Sequence, residues 1–280
     1  MVKKRAVFLL LCLAAGILLF PILLLALNSF MGEEELLSSY GAALYDIKTE
    51  LQWKLLPMYP TLKAYVELLL DSPDFFVMFW NSCKQVFPIL AGQTIVGLPA
   101  AWAFGRFSFK GKRPLFYLYM VLMILPFQVT MVSSYGVLSS LKLLDTGWAI
   151  ILPGVFSAFP VFLMTKFFQG IPDSLLEAAR VDGAGELLTF VYVGLPLGFP
   201  GITASLLLNF LEYWNAIEPP MTFLKTESKF PVSLYLSSIS LEEAGTAFAA
   251  SVIIMAPAVF LFAWGQSYLE QGIIASGLKE

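Results

Sequence analysis

From Ala6 to Leu27 the chain carries no charged residue. A helix needs about 20 mostly apolar residues to cross the hydrocarbon core of a bilayer, and this run is long enough. More apolar blocks follow at roughly 77–104, 114–139, 147–168, 188–217 and 246–267. Their number and length place the solvent of this chain as lipid. Composition agrees: 58% of residues are hydrophobic and 13% charged, whereas soluble domains carry about half and about a quarter. Pro and Gly recur inside the blocks (Gly92, Gly97, Pro99, Pro126, Pro153, Pro160). Membrane helices tolerate them because neighbouring groups satisfy the freed backbone. The expected fold is an all-α integral membrane protein with six transmembrane helices.

Lys3, Lys4 and Arg5 precede the first block. A signal peptide shares that basic start, but its apolar region is shorter, about 7–15 residues, and a small-x-small cleavage site follows it. The reading taken is an uncleaved first helix, residues 1–28 with a basic cytoplasmic N-terminus. The loop at 105–113 holds Arg106, Lys110, Lys112 and Arg113 and no acid. Basic residues near span ends mark the cytoplasmic side. Acidic clusters (Glu33 to Glu35, Glu242, Glu243) fall on the other side. Both termini are then cytoplasmic. Residues 29–76 form an extracytoplasmic segment with Trp53, Pro57, Tyr59, Pro60 and an apolar run at Leu68 to Leu70. It is expected to be ordered, with one or two surface helices, and too short for its own core. Residues 77–267 form a five-helix core with a loop at 171–187, and residues 268–280 a cytoplasmic tail.

Several function classes drop out. The chain has no His, and so lacks the commonest general base and metal ligand. Cys12 and Cys83 are too few for a disulfide framework or a zinc site. Net charge is −3, which gives no footprint for nucleic acid. No P-loop is present: Arg113 follows Lys112 where Ser or Thr is required. A membrane-embedded enzyme would need Glu212 or Asp145 to supply its chemistry, with no second acid–base group in the spans. A secondary transporter would need coupling-ion sites and usually an inverted repeat. Gly194 and Gly198 give a small-xxx-small spacing, a weak helix-packing signal.

The loop after the fourth block is informative. Pro172 stops the preceding helix. Ser174 with Glu177 fits a capping box that starts a new one. Leu175, Leu176 and Ala179 give it an apolar face. Asp182-Gly183 fits a helix end, with Gly in the left-handed conformation. A short cytoplasmic helix therefore sits between the fourth and fifth spans. Two readings stand on physics alone: a solvated loop helix, or a rigid element that takes a push from a partner.

Glu177-Ala178-Ala179, Asp182-Gly183 and Leu195-Pro196 together resemble the EAA motif of importer permeases of the ATP-binding-cassette superfamily. Other pieces resemble the carbohydrate branch, typified by the second maltose permease. They are Trp80-Asn81-Ser82, Ala101 to Arg106, Phe109-Lys110-Gly111, Leu125-Pro126, Leu143 to Thr146, Trp214-Asn215 and the tail from Gln266 to Lys279. The likeness covers about 77–280 and leaves the segment before it unaligned.

The resemblance implies a subunit that is not itself an enzyme and binds no cofactor. ATP and Mg would sit on two partner ATP-binding subunits. A second permease, a different chain by the family pattern, would complete the pathway. An external or lipid-anchored solute-binding protein would deliver a sugar or oligosaccharide. Carried over by residue, Glu177, Ala178, Ala179, Asp182 and Gly183 would form the coupling contact. Gln271, Gly272 and Lys279 would touch the ATPase pair, and the loop at about 219–245 would meet the binding protein. Polar residues inside spans face protein or water, which makes Gln93, Thr94, Gln128, Asn209, Glu212, Tyr213, Trp214 and Asn215 candidates for the pathway. The competing reading for them is an aromatic belt with helix-packing hydrogen bonds.

Overall fold

Prolines decide where the long helices break and where they only widen. The computed structural model describes residues 2–44, 54–239 and 243–277, and among these every regular element is helical. Five segments are long and apolar enough to cross a membrane: Lys4–Asn28, Pro73–Arg106, Trp148–Gly170, Glu186–Trp214 and Ala244–Glu270. The pair Lys112–Ile124 and Phe127–Ser140 passes the same test together, but is bent by 103°. The expectation of one helix over 114–139 is thereby corrected. Pro126 is the cause: a residue before proline is pushed out of the α region. Leu125 accordingly has φ −65° and ψ 121°, and Pro126 itself has ψ 150°.

Pro99 and Pro196 act more gently. Each follows a π-helical turn, Gln93–Gly97 and Phe190–Gly194. Proline lacks an N–H, and its ring collides with the carbonyl four residues back. Those carbonyls belong to Ile95 and Tyr192, inside the two widened turns. One extra residue per turn moves them clear and the rod continues.

The chain divides into two compact units, Met1–Val77 with Leu234–Pro257, and Met78–Ser233 with Ala258–Glu280. In the first, the Glu33–Leu44 helix opens on three acids, which suit the positive end of a helix dipole. Glu35 accepts the Met58 N–H at 2.8 Å. The Thr61 N–H donates to the Phe30 carbonyl at 2.8 Å, and the Ser29 and Tyr65 hydroxyls lie 2.7 Å apart. Met31, Leu36, Ala64 and Leu68 are buried beneath these ties. The described parts of the segment after the first helix, 29–44 and 54–76, are therefore folded, with a further short helix at Lys63–Val66 that widens into Glu67–Asp71. Lys48, Trp53 and Glu242 lie outside the described residues.

The second unit is built around Ala158–Gly170, which packs against Leu98–Arg106, Lys112–Ile124 and Leu195–Trp214. Gly194 and Gly198 make that packing close. A Cβ at Gly194 would fall 2.6 Å from the Trp102 ring, and one at Gly198 would fall 2.5 Å from the Phe168 ring. The two rings meet edge-on at 5.2 Å. The small-xxx-small spacing thus seats two aromatic side chains. Helix Ala244–Gly277 runs without a break at 267–268, so the tail continues the last helix. Gln271 and Gly272 lie on it, and Lys279 lies outside the described residues.

Candidate functional site

The short helix after the fourth block spans Asp173–Val181. Its start differs from the expected capping box. Pro172, extended at φ −61° and ψ 134°, is the residue before the helix, and no side-chain bond caps that end. Ser174 lies two residues past that cap position, inside the first turn. Asp173 occupies the first turn instead, where a carboxylate favours the helix dipole.

The helix end follows the sequence expectation. Gly183 has φ +85°, which costs glycine little and other residues much. The Gly183 N–H donates to the Arg180 carbonyl and the Ala184 N–H to the Ala179 carbonyl, both at 3.0 Å. This bond pair is a Schellman motif, and it satisfies carbonyls that the helix end leaves open.

One side of this helix is seated and the other is open. Leu176 is buried and belongs to the core cluster of Trp102, Phe104, Met164 and Phe168. Ala179 is half-buried. Leu175, expected on the apolar face, is instead exposed, as are Ala178 and Asp182. Residues at i, i+3 and i+7 share one helix face, so these three form an open row opposite Leu176. Glu177 lines a small recess of about 110 Å³ together with Arg106, Arg180 and Glu186.

Arg106 marks topology and belongs to the stretch that resembles the carbohydrate branch, and the structure gives it a further task. Its side chain is 9% exposed. Nη1 donates to Asp173 Oδ1 at 2.9 Å, and Nη2 donates to the Ile171 carbonyl. The guanidinium therefore grips the chain on both sides of Pro172. Arg180 pairs with Glu186 at 2.9 Å, tying the helix to the first turn of Glu186–Trp214. A push on the open row would reach two long helices through these ties.

The pathway candidates separate into two groups. Asn209 is fully buried; its Nδ2 donates to the Ser205 carbonyl at 2.8 Å and its Oδ1 accepts from Gln93 at 3.2 Å. Gln93 also donates to the Gly154 carbonyl at 2.9 Å, beside the break in Trp148–Gly170. Thr94 bonds back to the Leu90 carbonyl of its own helix. Trp214 is 2% exposed. It stacks on Phe210 at 5.3 Å and meets Phe79 edge-on at 5.6 Å. These four side chains fill the packing of the unit. Tyr213 is half-buried, with its hydroxyl 3.4 Å from the Gly154 carbonyl. Gln128, Glu212 and Asn215 are exposed. Gln128 Nε2 donates to both Glu218 oxygens at 2.7 Å, and Asn215 bonds the Leu211 carbonyl at its own helix end.

No group of acidic or cysteine side chains suited to a metal occurs among the described residues.

The family described as binding-protein-dependent transport system inner membrane component matches residues 94–275. That range contains Arg106, the Asp173–Val181 helix and Glu212. The arabinooligosaccharides transport system permease protein of Halalkalibacterium halodurans is 28% identical, over 95% of this chain and 92% of its own. A probable ABC transporter permease protein of Pyrococcus horikoshii is 31% identical, over 81% and 85%. Among solved structures, a bacterial ABC transporter involved in the import of the acidic polysaccharide alginate superposes with a TM-score of 0.78 at 24% identity, over 95% of this chain and 96% of that one. With well over half of its length inside the family match, and a relative above 30% identity along most of the chain, this protein belongs to the binding-protein-dependent transport system inner membrane components, multi-pass subunits of transporters rather than enzymes.

Proposed function

We propose that this chain forms half of the translocation pathway of an ATP-driven importer for a sugar or oligosaccharide. The observation that carries the reading is the Asp173–Val181 helix. It is fixed to the bundle by Arg106 and Leu176, ended by Gly183, and leaves Leu175, Ala178 and Asp182 open. This is what a docking helix requires: a rigid seat on one side and a free surface on the other.

In this reading the bent pair Lys112–Ile124 and Phe127–Ser140 counts as one span, giving six. Both termini and the Asp173–Val181 helix are cytoplasmic. Glu177, Ala178, Ala179, Asp182 and Gly183 seat in a groove of an ATP-binding subunit. Two such subunits hold ATP and Mg, and a second, different permease completes the pathway. When ATP closes the two subunits, the short helix moves with them. Arg106 and Arg180 pass that motion to the Pro73–Arg106 and Glu186–Trp214 helices. The pathway exchanges inward-open for outward-open because each state makes its own contacts. The helical tail through Gln271 and Gly272, followed by Lys279, touches the same subunits.

The pathway role stays with Gln128, Glu212, Tyr213 and Asn215. Asn209 and Trp214 support it from within the packing. The external loop at 219–245 meets the solute-binding protein, and residues 29–76 stand on that side. The sugar assignment draws on relatives named for arabinooligosaccharide transport and on the alginate importer.

Gentle purification through a tag on this chain, followed by mass spectrometry, tests the assembly. A P-loop ATPase and a second permease are the expected companions. A stable chain isolated alone, under conditions that keep such complexes intact, would move a secondary transporter to first place. Uptake of labelled oligosaccharides by proteoliposomes holding the complex tests the cargo.

A further inference from the structure

The turn between Phe127–Ser140 and Trp148–Gly170 holds a cluster that coupling and the pathway leave unused. Asp145 sits at φ +57°, a conformation most residues avoid and Asp or Asn tolerate. Its Oδ1 accepts the N–H groups of Lys225 at 2.9 Å and Thr226 at 3.0 Å. Its Oδ2 accepts the Thr226 hydroxyl at 2.7 Å and Lys229 Nζ at 2.8 Å. Lys229 Nζ also reaches the Asp145 carbonyl at 2.7 Å, and the Asp145 N–H donates to the Phe223 carbonyl at 2.8 Å. One residue thus organises the whole crest of the following loop.

The other side of the loop is held as firmly. Asn81 Nδ2 donates to the Ser228 carbonyl at 2.7 Å and the Phe230 carbonyl at 3.1 Å. The Val232 N–H donates to Ser82 Oγ at 2.8 Å. Phe223, Leu224 and Val232 are buried, whereas every residue from Lys225 to Lys229 is exposed. A connector between two helices needs neither so many side-chain ties nor a left-handed aspartate beneath it. The arrangement is a polar crest fixed in one conformation and presented outward. It stands at the opposite end of Trp148–Gly170 from the Asp173–Val181 helix, and so on the side away from the ATP-binding subunits.

We propose that Asp145 is a positioning residue that presets the 225–229 crest as a docking surface for the solute-binding protein. This rests on the importer reading above, in which that loop meets the binding protein. Fixing the crest beforehand removes ordering entropy from the docking step. Asp145 therefore governs how tightly the binding protein engages and leaves the ATP cycle itself unchanged.

The test uses the complete complex in lipid discs, with the binding protein that supports its uptake. Asp145→Asn keeps the left-handed backbone and removes the charge. Asp145→Gly keeps the backbone and removes the side chain. ATP hydrolysis is measured against binding-protein concentration. The half-saturating concentration is expected to rise about three- to tenfold, the scale of losing charge-assisted hydrogen bonds at a partly solvated site, and to rise more in Asp145→Gly. The maximal rate and the rate without binding protein are expected to stay unchanged. An unchanged half-saturation overturns the proposal, and so does a lower maximal rate with no shift in half-saturation. If both variants fail to assemble, Thr226→Val removes one tie and is read in the same way. A photo-cross-linker on E227C, in otherwise unaltered protein, separates the two layers. A cross-link to the binding protein with no shift in the Asp145 variants sinks only this inference. No cross-link removes the docking reading and this inference with it.

Discussion

Arg106 Nη1 lies 2.9 Å from Asp173 Oδ1, and the same guanidinium holds the Ile171 carbonyl through its other arm. Lysine cannot reproduce this fork, because its ammonium is a single point charge. Asp173 is 83% exposed, so solvent screens its half of the grip. The carbonyl half is the better sheltered. R106A is expected to lower the amount of sugar taken up per ATP hydrolysed by about tenfold, the scale of one lost charge-assisted bond. R106K should fall between R106A and the unaltered protein, and D173N should stay near the latter. Parallel measurement of uptake and phosphate release in proteoliposomes decides this. A D173N loss as large as that of R106A would show that the ion pair dominates.

Gly183 offers a cleaner test of the helix end. A Cβ there meets nothing within 4 Å, so a substitution acts through the backbone alone. At φ +85° an L-residue pays about 1–2 kcal/mol, while Asn pays less. G183V should therefore loosen the turn and uncouple hydrolysis from uptake, and G183N should retain most of the coupling. The variant complexes are expected to assemble, because the position touches no core residue. Normal uptake in an assembled G183V complex would contradict the coupling role of this turn.

Gly198 tests the packing beneath. Its missing Cβ leaves 2.5 Å to the Phe168 ring, which is fully buried. G198L should lower the yield of folded protein sharply, because overpacking a tight core costs about 1–3 kcal/mol or more. F168A empties the same space, and the double variant G198L/F168A should recover part of the loss. Fluorescence-detected size exclusion in detergent reads this directly. Strict additivity of the two losses would mean that the residues do not share a site.

The legible parts of this sequence were those set by local chemistry. Apolar length located five long apolar helices to within a few residues. Gly183 announced the helix end because only a left-handed residue fits there. The less legible parts depended on the third dimension. Leu125-Pro126 carried the signal for a break, but proline is common enough in membrane helices that a 103° bend does not follow from the pair alone. Ser174 offers a capping pattern, but the helix starts at Asp173 and leaves Ser174 inside its first turn. Trp214 is a pathway candidate by residue type, and only the placement of Phe79 and Phe210 shows it as core. The clamp at Asp145 is not visible in sequence, since its partners lie about eighty residues downstream.

The Asp145 clamp should be insensitive to pH across the ordinary range. The Lys229 ammonium, then the N–H groups of Lys225 and Thr226 and the Thr226 hydroxyl, hold its carboxyl well below the usual carboxylate range. A group with a depressed value in the folded state stabilises fully above its unfolded value, about 4. That contribution is lost only as pH falls through the depressed value. Hydrogen exchange at 225–229 should therefore be faster in D145N than in the unaltered protein by a constant factor between about pH 5 and 8. A factor that shrinks toward pH 5 would show Asp145 titrating in that window.

Trp214 and Glu212 are two residues apart and should fail in different ways. Trp214 is 2% exposed and packed between Phe210 and Phe79. Truncating a buried aromatic of this size costs about 3–5 kcal/mol. W214A should therefore lower the melting temperature of the complex and leave its order of preference among sugars as it was. Glu212 is exposed, and E212Q removes a charge without removing volume. Its melting temperature should hold, because the altered side chain lies outside the core, while uptake of the preferred sugar changes if Glu212 lines the pathway as proposed. Melting curves and competition uptake on the same preparations separate these outcomes. A W214A protein of normal stability with a changed sugar preference would return Trp214 to the pathway. An E212Q protein that loses stability but keeps normal uptake would take Glu212 out of it.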